Sequence, residues 1–379
     1  MIAVNEPLLN GNEKKYLGEC IDSGWISSEG PFVKKFEEAY SSFIGTKFSV
    51  AVSSGTAALE VALYAAGVSP NDEVIIPSFT IVSCIVACLR LGARPILVDI
   101  DPETWTMDVN QVSSKIGINT KVVMPVHIYG HPVDMDPLFR LQKSHDFFIV
   151  EDAAEAHGAE YFSKERGNVW LQCGNMGDIA ATSFYANKII TTGEGGMVTT
   201  SDSIMRQRAL SYRNLCFGDV ERFCHAEIGY NFRMTNLQAA VGLAQMEQSS
   251  EFVRKKRQLG VYYRERLAAI KGIRFAPNRD YARSVYWMYS IEIDSKVGIT
   301  ADTLREELRG YGIGTRPFFR GLHTQPFAKN QGLFLEGHYP NTEHAYKYGL
   351  YLPSSLSLTR NQIDEVCDSV ELIINRFSG

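Results

Sequence analysis

One lysine of the sequence lies among apolar residues and just before a run of glycines. Lys188 belongs to the stretch SFYANKIITTGEGG, which spans residues 183–196. Burial lowers the pKa of a lysine, because the charged form loses its hydration, and the neutral amine can attack a carbonyl to form a Schiff base. The surroundings of Lys188 therefore favour covalent amine chemistry. Taken alone, the stretch would also suit an ordinary surface lysine.

Acidic side chains follow an apolar segment at residues 147–150. The stretch EDAAEAHG occupies residues 151–158. An ionised Asp152 beside a heteroaromatic nitrogen would keep that nitrogen protonated, and the two alanines after it leave room for a flat ring. A metal site built from Asp152, Glu155 and His157 is the alternative interpretation. His157 is more typical of a packed residue than of a metal ligand.

Two further stretches could bind a phosphate group. Residues 53–58, SSGTAA, combine small and hydroxyl side chains where a strand changes to a helix, and backbone N–H groups at such a point bind anions. Residues 229–236, GYNFRMTN, precede an alanine-rich helical pattern, and Asn231 there could donate to a phosphate. Helix capping explains each stretch equally well when it is taken alone.

Apolar strands alternate with helical patterns along most of the chain, and these elements must position the four stretches. Strands are predicted at 48–52, 73–76, 95–100, 121–126, 147–150, 179–184, 197–200 and 285–293, and helices at 56–66, 80–91, 249–270, 301–309 and from 361 onward. Continuous apolar strands are typical of parallel sheets that are buried on both faces. Ligands of such sheets bind at the carboxyl ends of the strands, where the four stretches lie.

The pattern changes after Met246, where a long charged helix is predicted over residues 249–270. We predict a large domain over residues 1–248 and a smaller domain over residues 249–379. The basic run at 254–257 is interpreted as a solvated face of the connecting helix.

Composition excludes several classes of protein. The 379 residues suit two domains, and 45% hydrophobic residues exclude a disordered chain. A formal net charge of −5 argues against binding to nucleic acid or to anionic membranes through bulk charge, so neither partner is expected. The longest apolar run, 81–89, is half the length of a membrane span, and the N-terminus has no secretory pattern. These features favour a cytoplasmic enzyme or a large binding protein.

Cysteine usage agrees with that compartment. The seven cysteines are odd in number and none has C-x-x-C spacing, which disfavours both a disulfide framework and a zinc site. We expect buried thiols and no metal.

Taken together, the four stretches resemble the DegT/StrS group of sugar aminotransferases, which depend on pyridoxal phosphate (PLP). The resemblance extends from residues 5–7 to the final helix and is nearest to GDP-perosamine synthases, with shared stretches at 24–28, 127–130, 190–197 and 230–236. It implies an α/β fold like that of aspartate aminotransferase (PLP fold type I). That fold has a mostly parallel central sheet, flanking helices and a smaller C-terminal α+β domain.

The resemblance also implies roles for individual residues. Lys188 would bind PLP as a Schiff base and move the proton in catalysis, and Asp152 would pair with the pyridine nitrogen. The residues implied to contact the cofactor are Ser54, Gly55, Thr56, Ile81, Asp152, Glu155, Ser183, Lys188 and Asn231. Ile81 stands where relatives usually have an aromatic residue that stacks on the PLP ring. Asn231 would reach the PLP phosphate of a neighbouring subunit, which implies a homodimer with shared active sites.

The implied reaction moves an amino group from L-glutamate to a keto sugar, giving an amino sugar for lipopolysaccharide or O-antigen. Candidate substrate-binding residues are Trp25, Ser27, His127, Tyr129, Arg316, Arg320 and His323. The first choice of acceptor is a nucleotide-linked 4-keto-6-deoxyhexose, and the alternative is an 8-keto derivative of Kdo. A related sugar 3-dehydratase would have histidine in place of Lys188, so transamination is preferred. A non-catalytic regulator with this fold is the alternative of another class.

Overall fold

A computed structural model describes residues 1–217 and 223–378 of the chain. The strands are β1 (Phe48–Val52), β2 (Glu73–Pro77), β3 (Arg94–Val98), β4 (Thr120–Val123), β5 (Phe148–Asp152), β6 (Glu160–Ser163), β7 (Val169–Gln172), β8 (Ile179–Ser183), β9 (Gly196–Thr200), β10 (Ile273–Arg274), β11 (Ala282–Arg283), β12 (Tyr289–Ile293), β13 (Arg316–Pro317) and β14 (Gly349–Leu352).

The helices lie between and after these strands. They are α1 (Glu13–Ser23), α2 (Pro31–Ile44), α3 (Gly55–Ala65), α4 (Ser83–Arg90), α5 (Val109–Val112), α6 (Met135–Ser144), α7 (Ser203–Arg213), α8 (Asn236–Met246), α9 (Ser249–Leu267), α10 (Ala301–Gly310), α11 (Pro326–Asn330), α12 (Pro340–Tyr348) and α13 (Arg360–Ser378).

The central sheet has the strand order β1-β9-β8-β5-β4-β2-β3. Strand β9 runs antiparallel to β1 and β8, whereas β8, β5, β4, β2 and β3 pair in parallel. Every residue of β8 and β9 is buried, as expected for strands covered on both faces. The predicted α/β fold with a mostly parallel central sheet is therefore confirmed.

Two smaller sheets complete the architecture. Strands β10-β12-β14-β13 form an antiparallel sheet near the C-terminus, and β11-β6-β7 form a three-stranded sheet. A second hydrophobic cluster packs this C-terminal sheet against α9, α10 and α13, and it also contains Ile2 from the N-terminus. Trp287 and Phe318 belong instead to the main cluster. The division of the chain at residue 248 stays a prediction.

Strand β12 begins later than its apolar pattern predicts. The backbone N–H groups of Val285 and Trp287 donate to the carbonyl oxygens of Gly130 and Tyr129, at 3.1 and 3.0 Å. Because these residues pair with the loop after β4, the strand of the C-terminal sheet starts only at Tyr289.

Two expectations drawn from the sequence are each wrong for one residue. Lys256, in the basic run of α9, is buried rather than solvated, because it lies on the inward face of the helix with Phe252, Leu259 and Tyr263. Six of the seven cysteines are buried as expected, but Cys224 is exposed.

Over residues 1–217 and 223–378, no helix is long and apolar enough to cross a membrane. The same residues contain no group of three or more His, Cys, Asp or Glu side chains placed to hold a metal ion.

Candidate active site

A cleft lies at the carboxyl ends of the central strands and encloses about 960 Å³, part of it open to solvent. Nine of the residues singled out from the sequence line it: Ser54, Gly55, Thr56, Ile81, His127, Asp152, Glu155, Ser183 and Lys188. The cleft thus brings together three of the four stretches, 53–58, 151–158 and 183–196, which are far apart in the chain.

The Lys188 amine lies between a carboxylate and an aromatic face. Its Nζ is 3.4 Å from Glu155 Oε1 and 3.6 Å from the centre of the Trp287 ring. Burial lowers the pKa of Lys188, and the negative charges of Glu155 and Asp152 partly oppose this effect. At neutral pH the neutral, nucleophilic amine is therefore more populated than it would be for a surface lysine.

A hydrogen bond from the backbone orients the Glu155 carboxylate. Its Oε2 accepts from the backbone N–H of Tyr129 at 2.8 Å, while Oε1 faces Lys188. Burial raises the pKa of Glu155, and the nearby Lys188 charge opposes that rise. Tyr129 adopts a left-handed φ of 52°, an uncommon conformation for a non-glycine residue.

Asp152, at the end of β5, has a fixed carboxylate. Its Oδ1 accepts from the backbone N–H of Ala154 at 3.0 Å, and its Oδ2 accepts from the Cys84 thiol at 3.2 Å. Burial and the Asp152 charge raise the pKa of Cys84 well above its usual value, so the thiol stays protonated and remains a donor. The carboxylate is thus oriented before any cofactor binds.

The N-terminus of α3 forms an anion cradle. Ser54 caps the helix by accepting from the backbone N–H of Ala57 at 3.1 Å. Among the described residues the N–H groups of Gly55 and Thr56 have no protein acceptor, so they can bind a ligand. A Cβ on Gly55 would approach Ser183 Cβ to 2.7 Å, and one on Gly196 would approach the Ser54 carbonyl oxygen to 2.3 Å. Glycine at these positions therefore lets the helix terminus come close to Ser183 and lets β9 come close to Ser54.

Buried histidines support the floor of the cleft. His157 Nε2 donates to the Ser183 carbonyl oxygen at 2.8 Å, and His157 Nδ1 lies 3.2 Å from the Tyr40 hydroxyl. Burial lowers the pKa of His157 to about 4, so the ring is neutral. His127 Nδ1 accepts from the backbone N–H of Val133 at 3.1 Å, and its Nε2 donates to Glu151 at 2.9 Å. Both nitrogens of each ring are therefore bonded within the protein.

Seven of the residues singled out from the sequence do not line the cleft: Trp25, Ser27, Tyr129, Asn231, Arg316, Arg320 and His323. Tyr129 is buried, with its ring parallel to that of Phe319. His323 bonds to Ser78 and Glu343. The other five are exposed to solvent. Their predicted contacts to substrate, or for Asn231 to a second subunit, stay predictions.

Sequence reasoning missed several residues of the cleft. Trp287 lies about 100 residues from Lys188 in the chain, and no local pattern links the two. Cys84, in α4, does not line the cleft, but its thiol holds the Asp152 carboxylate, and it could have been found only from that contact. Phe319 and Tyr351, both from the C-terminal part of the chain, also line the cleft.

Comparison with known proteins agrees with this geometry. Residues 7–371 match the DegT/DnrJ/EryC1/StrS aminotransferase family. The chain belongs to this family. It is accordingly a PLP-dependent sugar aminotransferase, and the resemblance seen in the sequence is confirmed.

Individual relatives are similar over 93–100% of their length. GDP-perosamine synthase of Escherichia coli O157:H7 is 40% identical over 369 residues, which cover 97% of each chain. The solved aminotransferase TlmJ from Streptoalloteichus hindustanus is 29% identical with a TM-score of 0.91, and the match covers all of both chains. DesI, solved in the presence of its TDP-sugar product, is 29% identical with a TM-score of 0.89 over 100% of this chain and 93% of that one.

The residues present fit the family's cofactor. The cradle at α3 suits a phosphate, the fixed Asp152 carboxylate suits a protonated ring nitrogen, and the buried Lys188 amine suits an aldehyde. These are three separate chemical requirements of PLP, and residues lining one cleft meet them all.

Proposed function

We propose that this enzyme transfers an amino group from L-glutamate to a nucleotide-linked 4-keto-6-deoxyhexose, giving an amino sugar for lipopolysaccharide or O-antigen. The 40% identity to a GDP-perosamine synthase supports this acceptor class. The solved DesI, which is similar over the whole of this chain, was determined with a TDP-sugar product. Both relatives therefore favour a nucleotide-linked sugar.

The observation that carries the proposal is the placement of Lys188. Its amine is buried 3.4 Å from Glu155, in a cleft that also contains the α3 cradle and the Asp152 carboxylate. A structural lysine would not need a neighbouring anion cradle and a second fixed carboxylate.

The roles of the residues follow from their positions. When bound, PLP supplies the aldehyde that carries the amino group and a ring that withdraws electrons. The α3 N-terminus, Gly55, Thr56 and Ser183 bind the phosphate, and Asp152 keeps the ring nitrogen protonated. Lys188 binds the aldehyde covalently and, once released, its Nζ takes and returns the substrate proton as general base and acid.

We propose further that the active site is completed by a second copy of the chain. Asn231 is exposed and does not line the cleft of its own subunit, as expected for a side chain that reaches into a partner's site. Ile81, Val82 and Tyr185 leave large apolar side chains exposed at or beside the cleft, which a partner subunit would cover.

Absorbance and product analysis test the proposal. The PLP-loaded enzyme is mixed with L-glutamate and then with GDP- or TDP-4-keto-6-deoxyhexose, while 2-oxoglutarate is detected by a coupled assay. We expect glutamate alone to bleach the cofactor absorbance and the keto sugar to restore it, with formation of an amino sugar. Turnover of 8-oxo-Kdo instead would replace the proposed acceptor.

A pair of lysine variants provides the control. Lys188→Ala should lose turnover by at least about 10³-fold, because it removes both the covalent anchor and the proton carrier. Lys34→Ala removes an exposed lysine of α2 and should retain wild-type rates. A cofactor that no amino donor bleaches would contradict the proposal and favour a regulator.

A further inference from the structure

Lys256 is a buried lysine with no role in the chemistry described above. Its spacing from Phe252, Leu259 and Tyr263 places it on the inward stripe of α9, and only 2% of its surface is exposed. The adjacent Lys255 is different, with 38% of its side chain exposed. Burying a lysine on the apolar face of a helix costs free energy unless hydrogen bonds replace the hydration that its amine loses.

The Lys256 ammonium has carbonyl partners instead of an acid. Its Nζ donates to the carbonyl oxygens of Trp287 at 2.8 Å and Ser354 at 2.5 Å. Within the described part of the chain, no carboxylate forms an ion pair with it. The titratable groups that line the same small cavity are Glu6, which is exposed, and Lys188. Burial lowers the pKa of Lys256 to about 7.

Trp287 connects Lys256 to the cleft. Its backbone N–H donates to the Tyr129 carbonyl oxygen at 3.0 Å, and its indole Nε1 donates to the Asn187 carbonyl oxygen at 2.7 Å. The hydrogen bond from Lys256 fixes the carbonyl oxygen of Trp287, so that both polar backbone groups of Trp287 are bonded. The indole face held in this way meets Lys188 Nζ at 3.6 Å from the ring centre.

We propose that Lys256 is a positioning residue: by bonding the Trp287 carbonyl it holds the indole face against the Lys188 amine, next to Glu155. The face of a tryptophan attracts a cation, so this contact stabilises the protonated form of Lys188. In this arrangement Lys256 acts on the active-site amine through Trp287. The inference rests on the proposed role of Lys188 in binding PLP, but not on the identity of the sugar.

The pH dependence of covalent PLP binding tests this chain of contacts. The apoprotein is mixed with PLP at a series of pH values, and the rate of the absorbance change is fitted to the pKa of the attacking amine. Loss of the indole contact should move the midpoint to lower pH by about half a unit, because the ammonium loses a stabilising neighbour. We expect this shift in Trp287→Leu and in Lys256→Met.

Lys255→Met is the matched control, since it makes the same change one residue away on the exposed side of α9, and it should keep the wild-type midpoint. Lys256→Arg, which retains donors, should recover much of the wild-type behaviour. If Lys256→Met does not fold, Lys256→Leu, which also removes every donor, replaces it. A shift in Trp287→Leu that is absent from the folded Lys256 variant would overturn the proposal, as would no shift in Trp287→Leu.

The double variant distinguishes positioning from a general loss of stability. Because Lys256 acts through Trp287, adding Lys256→Met to Trp287→Leu should cause no further shift. Additive shifts would contradict the proposal. This readout needs neither glutamate nor sugar, so failure of the wild-type enzyme to transaminate would refute the proposed function while leaving the midpoint measurable.

Discussion

The charge of the Lys188 amine is set by neighbours that act in opposite directions. Burial lowers its pKa, whereas the charges of Glu155 and Asp152 raise it. Covalent binding of PLP requires the neutral amine. The charged amine of the released lysine is attracted to Glu155 and Asp152 and therefore stays close to them. A balance of this kind lets one side chain serve both as nucleophile and as proton carrier.

Removing the carboxylate beside Lys188 should shift this balance. Glu155→Gln keeps an acceptor for the Tyr129 N–H but loses the charge that raises the pKa of Lys188. The neutral amine then persists to lower pH. We therefore expect the midpoint for covalent PLP binding to fall by about one unit or more, measured by absorbance.

Glu194→Gln is the control for this prediction. Glu194 also lines the cleft, but it is exposed and solvent screens its charge, so its removal should barely move the midpoint. A midpoint that rises in Glu155→Gln would contradict the assigned effect of the carboxylate.

Residues of the cleft could be predicted where their chemistry is concentrated in one stretch. Asp152, Glu155 and Lys188 come from stretches whose polar residues follow apolar strands, and each lines the cleft. Trp287 and Cys84 could not be predicted, because their importance arises only from contacts with residues distant in the chain. Local sequence therefore indicates which groups react, whereas tertiary packing decides what tunes them.

At the scale of elements, the sequence predicts the presence of strands better than the residues at which they begin and end. Every predicted strand overlaps an observed one, because continuous apolar runs suffice for strands buried on both faces. The predicted start of β12 is wrong, because Val285 and Trp287 bond to the loop around Tyr129 instead of to the sheet. Helix α2 was not predicted, although Pro31 at its first position and Gly45 after its end are typical boundary signals.

The junction between β1 and α3 gives a prediction at this scale. In Gly55→Ala, the new Cβ would approach Ser183 Cβ to 2.7 Å, so the helix terminus or β8 must shift apart. The cradle then loses its fit to a phosphate, and we expect PLP affinity to fall about tenfold or more, measured by equilibrium dialysis.

Gly18→Ala supplies the comparison. Gly18 lies inside α1, and a Cβ there meets nothing within 4 Å, so this change should leave PLP affinity intact and stabilise the fold by about 0.5–1 kcal/mol. Unchanged PLP affinity in a folded Gly55→Ala protein would show that the α3 terminus does not bind the phosphate.

At the scale of the whole molecule, the two hydrophobic clusters are not simply successive in the chain. Ile2 packs in the second cluster, and its backbone bonds to Gly312 and Gly314, whereas Trp287 and Phe318 pack in the main one. A single boundary at residue 248 cannot describe this packing, because residues on each side of the boundary pack in the other cluster. The cleft receives Trp287, Phe319 and Tyr351 by the same exchange.

Assembly of two chains gives the last prediction, which follows from Asn231 lying outside its own cleft. If Asn231 binds the PLP phosphate of the partner subunit, Asn231→Ala should weaken PLP binding about tenfold or more, since a hydrogen bond to a charged group is lost.

A mixed dimer tests whether this bond crosses between subunits. Lys188→Ala removes the amine of a subunit's own site. A mixed dimer of these two variants then contains one site with both residues intact and one with neither. With differently tagged chains and limiting PLP, the purified mixed dimer should recover about half of the wild-type activity per dimer. If Asn231 served its own subunit, each site would lack one residue, and the mixed dimer would be no more active than the variants alone.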